Sequence, residues 1–204
     1  TRTEFQFQVD DENYRSPWLP LPYPAAEIDI DGDWRYDRAT LDVVSTESDA
    51  RGASYTVGRL DVNLDADVLQ AAGRPGEELE DMLALPDDLP TEATEWAERA
   101  TEDAATSFDK AVALQRVFRT TFEYDLSTEP GTSSSDLVNF LDNRQGYCEQ
   151  YAAAMAIMAR VVDIPARVAV GYLQGERQDD GTWVVRANDA HAWPELYFDG
   201  TGWV

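Results

Sequence analysis

Two residues of this 204-residue chain could open a covalent mechanism, and each occurs once: Cys148 in "RQGYCEQYAAAMA" and His191 in "DAHAWPELYF". A lone cysteine is commonly a small buried hydrophobe, and a lone histidine commonly serves structure or lies exposed. Position argues for more in both cases. Gly146 and Tyr147 shape a turn, and the run behind them predicts a helix from about Cys148 to Val162. The helix stops ahead of Ile164-Pro165, because the residue before a proline avoids helical geometry. A thiol in a first helical turn meets N–H groups without intrahelical acceptors and the positive end of the dipole, both of which favour thiolate. Ala152, Ala153, Ala154, Met155, Ala156, Ile157 and Met158 make the helix apolar nearly all round, so it should be central and buried. Its start would then be held rigidly, as a nucleophile requires.

Alternation along the second segment puts His191, Trp193, Glu195 and Tyr197 on one side of a strand. If that strand packs on the Cys148 helix, the imidazole can meet the sulfur as a thiolate–imidazolium pair, a base that activates the nucleophile and later protonates a leaving amine. A third, acidic group ordinarily orients the imidazole. A reversal over Asp199 to Gly202 would start the returning strand near Trp203, so the residue facing His191 is expected several positions beyond Val204. Candidates within the chain are Glu195, which could equally hold the loop or line the cleft, and Asp189, which reads as a turn residue. The backbone N–H of Cys148 is the first oxyanion donor. Gln145 is a candidate second donor, with a loop-bracing role as the competing reading. Trp193 reads as core or cleft wall, and Arg160 and Arg167 read as partners for the acid excess.

Composition limits the alternatives. One cysteine forms no internal disulfide, and one cysteine with one histidine cannot build a zinc site, so no metal or cofactor is expected. "DIDGD" (Asp29 to Asp33) has the look of a calcium loop, but its glycine precedes the third Asp and Thr40 stands where the bidentate Glu belongs, so a hairpin turn is expected. Forty acids against sixteen bases give a formal charge of −24, which argues against nucleic acid as a partner. The excess is concentrated in the first half, as a solvated accessory surface or as halophile-style solubility. The longest strongly apolar run, Tyr151 to Ala159, is too short to span a membrane, so the chain reads as a soluble piece, cut from something longer at "GTGWV".

The elements that must position these residues follow from periodicity. "TEFQFQV", "AEIDIDGDWRYD", "TLDVVST" and "ASYTVGRLDV" read as short antiparallel strands. The four prolines of "SPWLPLPYPAAE" favour an extended, packed connector, with a ligand for a proline-reading domain as the alternative. After "AAGRPGEELEDMLALPDDLP" the period becomes helical: residues 92–105 carry Trp96, Ala97, Ala100 and Ala104 on one side. "SFDKAVALQRVFRTTF" follows with Ala111, Leu114, Val117 or Phe118, and Phe122 inward, then the loop "STEPGTSSS" and a helix capped by Ser135. Strands "ARVAVGY", "TWVVRA" and "AHAWPELYF" close the order. The fold class is α+β: a β-rich subdomain over residues 1–74, a linker over 75–90, and a core over 91–204 in which the Cys-bearing helix packs on an antiparallel sheet carrying the His.

From about Phe122 onward, "FEYD", "FLDNRQGYCEQYAAAMAIMARVVDIPARVAVGY" and "DAHAWPELYFDGTGWV" resemble the core of bacterial transglutaminase-like proteins, relatives of papain-type cysteine hydrolases. "LPLPYP" and the Trp34–Asp37 stretch are similar to the extracytoplasmic region of membrane-anchored members. The resemblance implies that Cys148 is the nucleophile and His191 the general base and acid. It also implies an acid on the strand after "GW", commonly in an Asp/Glu-Pro-Thr motif, which is not within these residues. The expected activity is acyl transfer from a protein or peptide carboxamide through a Cys thioester, with an amine as acceptor. The alternatives are a cysteine protease or amidase that uses water, and a non-catalytic cell-envelope binding module. The expected setting is extracytoplasmic, as the soluble part of a membrane-anchored bacterial protein.

Overall fold

The computed structural model describes residues 1–10, 14–38, 40–62, 64–73, 76–131 and 133–204. Arg74 and Pro75 of the expected boundary, and Thr132 of the expected loop, lie outside the described residues. The chain divides into two units, Thr1–Asn63 and Leu64–Val204.

In the first unit the period-two segments form strands β1 (Arg2–Gln8), β2 (Ala25–Asp29), β3 (Arg35–Tyr36), β4 (Val43–Val44) and β5 (Ser54–Leu60). A three-stranded antiparallel sheet runs β1-β5-β2. The register sets Phe7 opposite Tyr55, whose rings stack at 5.0 Å, and Phe5 opposite the fully buried Val57. The proline-rich stretch is a packed connector. Leu19 is buried and its N–H donates to the Val43 carbonyl, Ser45 N–H donates to the Pro17 carbonyl, and the Tyr55 hydroxyl donates to the Pro20 carbonyl at 2.6 Å. "DIDGDW" bends between β2 and β3, with Asp33 accepting from the Arg35 guanidinium at 3.3 Å.

The second unit is α+β. It contains α1 (Ala66–Gln70), a 3-10 turn (Glu77–Met82), α2 (Thr91–Thr101), α3 (Ser107–Thr121), β6 (Glu123–Tyr124), α4 (Ser134–Asn143), β7 (Gln145–Gly146) and α5 (Cys148–Val161). Strands β8 (Ala166–Tyr172), β9 (Glu176–Arg177) and β10 (Trp183–Val184) follow, then a second 3-10 turn (Ala187–Asp189), β11 (Ala190–Phe198) and β12 (Gly202–Trp203). One antiparallel sheet has the order β12-β11-β8, β9 and β10 pair as a hairpin, and β6 pairs in parallel with β7.

Helix α5 is the centre of this unit and packs on α2, α3, β8 and β11. Its Ala154, Met155, Met158 and Ala159 join Leu114 and Phe118 of α3, Phe140 of α4, and Leu196 and Phe198 of β11 in one core. Two helix ends differ from expectation for local reasons. Helix α2 stops at Thr101, not near residue 105, where the Thr101 hydroxyl turns back to the Ala97 carbonyl at 2.9 Å and the next cap, Thr106, follows. Helix α4 is capped by Ser133, not Ser135, because Asp136 then falls at the third helical position and the two side chains satisfy each other's backbone N–H groups. At the far end of α5 the chain's one lysine, Lys110, donates from Nζ to the Val162 carbonyl at 3.0 Å.

Candidate functional site

The start of α5 is assembled by a two-rung parallel ladder. Glu123 lies opposite Gln145 and Tyr124 opposite Gly146, with Glu123 N–H donating to the Arg144 carbonyl at 2.8 Å and Asp125 N–H to the Gly146 carbonyl at 2.7 Å. Arg144, in the left-handed conformation at φ 55°, ends α4 and turns the chain into β7. Gly146 is buried where nothing larger fits: a Cβ there would lie 2.5 Å from Gln150 Oε1 and 2.7 Å from the Phe140 ring. Tyr147 is the extended residue before the helix, and its N–H donates to Gln150 Oε1 at 3.3 Å. The same Oε1 accepts from the Thr128 hydroxyl at 3.2 Å, and Gln150 Nε2 donates to the Glu129 carbonyl at 3.2 Å. Gln150 thus ties the loop after β6 to the helix start.

Cys148 is the first residue of α5, a free and half-buried thiol. Tyr124, whose ring lies 6.0 Å from that of Tyr151 on the same helix, is near enough to Cys148 to feel it. The net direction for Tyr124 is upward, from burial first and then from the Cys148 side chain. Tyr147 and Tyr151 are also raised, by burial and then by the charges of Glu149 and Glu123 respectively. All three phenols are therefore protonated at neutral pH and able to donate.

His191 is the second residue of β11, the strand that packs on α5. It pairs with Gly171 of β8 and is half-buried, its ring stacked on Trp193 at 6.4 Å and 22°. Gly171 gives the indole its place: a Cβ there would lie 3.0 Å from Trp193 Cη2. Alternate residues Leu196 and Phe198 enter the α5 core, while His191, Trp193, Glu195 and Tyr197 occupy the other set of positions.

The remaining candidates have partners of their own. Glu195, buried, accepts from Arg167 Nε at 2.7 Å, and the Arg167 guanidinium stacks 4.4 Å over the Trp203 ring. Asp189 accepts from the Arg186 N–H at 2.7 Å through its carboxylate and from the Leu173 N–H at 2.8 Å through its carbonyl, as a turn residue does. Gln145 is exposed and donates to Glu123 at 3.3 Å. Arg160 ties the start of β8 to the segment after the first 3-10 turn, donating to the Ala166 and Ala84 carbonyls. Among the described residues, no three or more His, Cys, Asp or Glu gather as metal ligands. Sequence reasoning missed the pairing of Tyr124 with Gly146 and the brace from Gln150; the one available signal was the "FEYD" step out of a helix.

The family model of the transglutaminase-like superfamily matches residues 94–204, more than half of the chain. The chain belongs to the transglutaminase-like superfamily. Both Cys148 and His191 lie inside the matched region. Among curated proteins, this superfamily member is 34% identical over 131 residues to the uncharacterized protein YebA of Bacillus subtilis (strain 168), covering 60% of this chain and 18% of YebA. It is 42% identical over 96 residues to a protein-glutamine gamma-glutamyltransferase of Pseudomonas aeruginosa, covering 46% of this chain and 14% of that protein. The chain thus spans less than a fifth of the length of either relative. Among solved structures it is similar to the periplasmic domain of TgpA from Pseudomonas aeruginosa, with a TM-score of 0.75 and 26% identity, over 99% of this chain and 68% of that one. The α+β architecture is the transglutaminase-like fold.

Proposed function

We propose that this chain carries the acyl-transfer site of a transglutaminase-like enzyme, with Cys148 as nucleophile and His191 as base and acid. The observation that carries the reading is a half-buried thiol at the first residue of a helix whose body is the core of the unit. The thiolate of Cys148 adds to the carbonyl carbon of a glutamine-type carboxamide, and the oxyanion is held by the Cys148 N–H. Collapse breaks the C–N bond, His191 gives its proton to the departing ammonia, and a thioester remains. A primary amine then attacks the thioester, His191 takes up the amine's proton, and the C–S bond breaks to release the thiolate, with a new amide formed and the thiolate–imidazolium pair restored. Similarity to the glutamyltransferase supports an amine as acceptor.

The orienting acid is proposed on a continuation of β12. Tyr197 pairs with Trp203 and Phe198 with Gly202, so a strand continuing in that register sets the fifth residue after Val204 opposite His191. Likeness to a periplasmic domain supports an extracytoplasmic setting and a protein or peptide substrate of the cell envelope, in a membrane-anchored parent. No helix of the described residues is long and apolar enough to cross a membrane.

The test is incubation with a glutamine-containing donor peptide and a labelled primary amine. Label incorporated into the peptide, and lost in Cys148→Ala, is the expected result. The half-exposed Cys148 favours one second reading, an amidase in which water resolves the thioester. Ammonia released without label would establish that reading. Neither product would leave a binding module.

A further inference from the structure

Among the described residues, strand β8 ends its sheet, with β11 on one side and no strand on the other. The backbone bonds fix which of its residues look outward. Leu196 of β11 exchanges both of its bonds with Val204, while Tyr197 N–H donates to the Pro165 carbonyl at 2.9 Å and Leu173 N–H to the Asp189 carbonyl at 2.8 Å. Odd-numbered residues of β8 and β11 therefore bond to each other, and Ala166, Val168 and Val170 turn N–H and carbonyl away from the sheet. Arg160 takes the Ala166 carbonyl at 2.7 Å. Val168 and Val170 keep theirs free, and their side chains, on one face of the strand, are 44% and 79% exposed.

An edge of this kind invites a further strand, and folded proteins usually blunt it with lysine, proline or a bulge. Strand β8 carries none of these. Its register runs unbroken from Ala166 to Tyr172, and its one charge, Arg167, is turned to Glu195. The free edge also leads to the site, because Gly171, the residue after Val170, lies opposite His191. A strand added to β8 would lie two strand spacings from β11, about 10 Å away. Past Gly171 the exposed apolar surface continues through Leu173, Trp183 and Val185. The β9–β10 hairpin is held at the exit of β8 by Gly175, where a Cβ would lie 2.4 Å from the Val184 carbonyl oxygen.

Charge decides between the occupants that could pair there. A second copy would bring another −24 to the contact, and two outward residues cannot bury the area of about 1,200 Å² that a stable pair of folded chains needs. A short, positively charged segment is drawn in by the same excess and, as a substrate, is held only for a turnover. We propose that the outer edge of β8 docks the donor substrate, an extended, basic stretch of protein that pairs with the backbone of Val168 and Val170 and sets apolar side chains against theirs. Backbone pairing gives such a contact its register, and alternate side chains give it selectivity. The inference rests on the proposed function for the fate of the bound segment, while the binding itself is measured without turnover.

The probe is a fluorescein-labelled hexapeptide in which arginine and valine alternate twice, followed by glutamine and glycine, and its binding to the full chain is read by fluorescence anisotropy. Val170→Pro removes one outward N–H and leaves the bonds to β11 in place. Its Kd should rise at least about fivefold. Val170→Arg keeps the backbone and sets a like charge beside the arginines of the peptide, so it should also weaken binding. In amine incorporation, KM for the peptide should rise by the same factor while kcat stays within about threefold. Equal affinity in the parent and both variants would overturn the proposal. So would equal affinity for a peptide with proline in place of valine, or light scattering that finds a dimer which Val170→Pro makes monomeric, since a second copy would then hold the edge. If the peptide binds as expected and no product forms, the proposed function fails and the docking strand stands; if product forms and both variants leave Kd and KM unchanged, this inference fails alone.

Discussion

Replacing Gly146 with alanine tests whether the start of α5 is as tightly determined as its surroundings imply. The added Cβ would lie 2.5 Å from Gln150 Oε1 and 2.7 and 2.8 Å from two carbons of the Phe140 ring. Phe140 cannot yield. It is 2% exposed and locked among Phe118, Phe122 and Tyr151 at centroid distances of 6.1, 4.9 and 5.1 Å. Gln150 can move, but only by giving up the Tyr147 N–H and Thr128 hydroxyl that its Oε1 accepts. Overpacking of this kind costs about 1–3 kcal/mol, and a lost hydrogen bond adds about 0.5–1.5 kcal/mol. The total of about 2–4 kcal/mol corresponds to a fall in Tm of roughly 5–15 °C for a unit of this size. Thermal unfolding followed by circular dichroism reads the stability, and amine incorporation reads the site. Turnover should fall well beyond the small unfolded fraction at 25 °C, because Cys148 is two residues from the clash. A variant with the parent's Tm and turnover would refute the argument that packing fixes the nucleophile's position.

Three further outcomes follow from particular contacts. Glu195→Ala strips Arg167 of its buried partner and should destabilise by about 2–4 kcal/mol in denaturant unfolding; because Arg167 already holds this carboxylate, Cys148 alkylation in the folded protein should be unchanged, and a tenfold loss would instead make Glu195 the orienting acid. Lys110→Met removes the charged donor from the Val162 carbonyl and should cost about 1.5–3 kcal/mol, read as a shift in the denaturant midpoint at constant m-value. Asp109 and Asp136 are held below the usual carboxylate range by hydrogen bonds, Asp109 first by Gln70 of α1 and then by Thr106 of its helix-start box, Asp136 by Ser133 of its own box. A carboxyl whose folded pKa lies below its unfolded value stabilises above the unfolded pKa and loses that contribution as pH falls through the folded one. Asp136→Asn should therefore flatten the acid limb of a Tm-versus-pH curve, and an unchanged limb would contradict the box.

What was legible in the sequence was what has length and period. Helix α5 is read to within one residue because fourteen residues without a breaker are bounded by Gly146 and Pro165. Strand β11 is read because nine residues alternate, and α3 because its apolar stripe recurs every three to four positions. Short elements escaped. Helix α1 has five residues, too few to show a period, although Asp65 caps it. Strands β6 and β7 have two residues each and pair in parallel, which leaves no turn signature between them. The pairing of Tyr124 with Gly146 was missed for this reason: the partner is 22 residues away, where local pattern cannot reveal it. Cys148 and His191 stood out because each is unique in the chain, while the engagement of Glu195 with Arg167 depends on cross-strand register.

The central claim, an activated sulfur–imidazole pair, is tested most directly by the rate of Cys148 alkylation with iodoacetamide across pH 5 to 9, in the parent chain and in His191→Ala. The claim predicts fast alkylation near neutral pH that falls at least about tenfold in the variant, with unchanged far-UV circular dichroism. Alkylation at the rate of an ordinary free thiol, indifferent to His191, would contradict it.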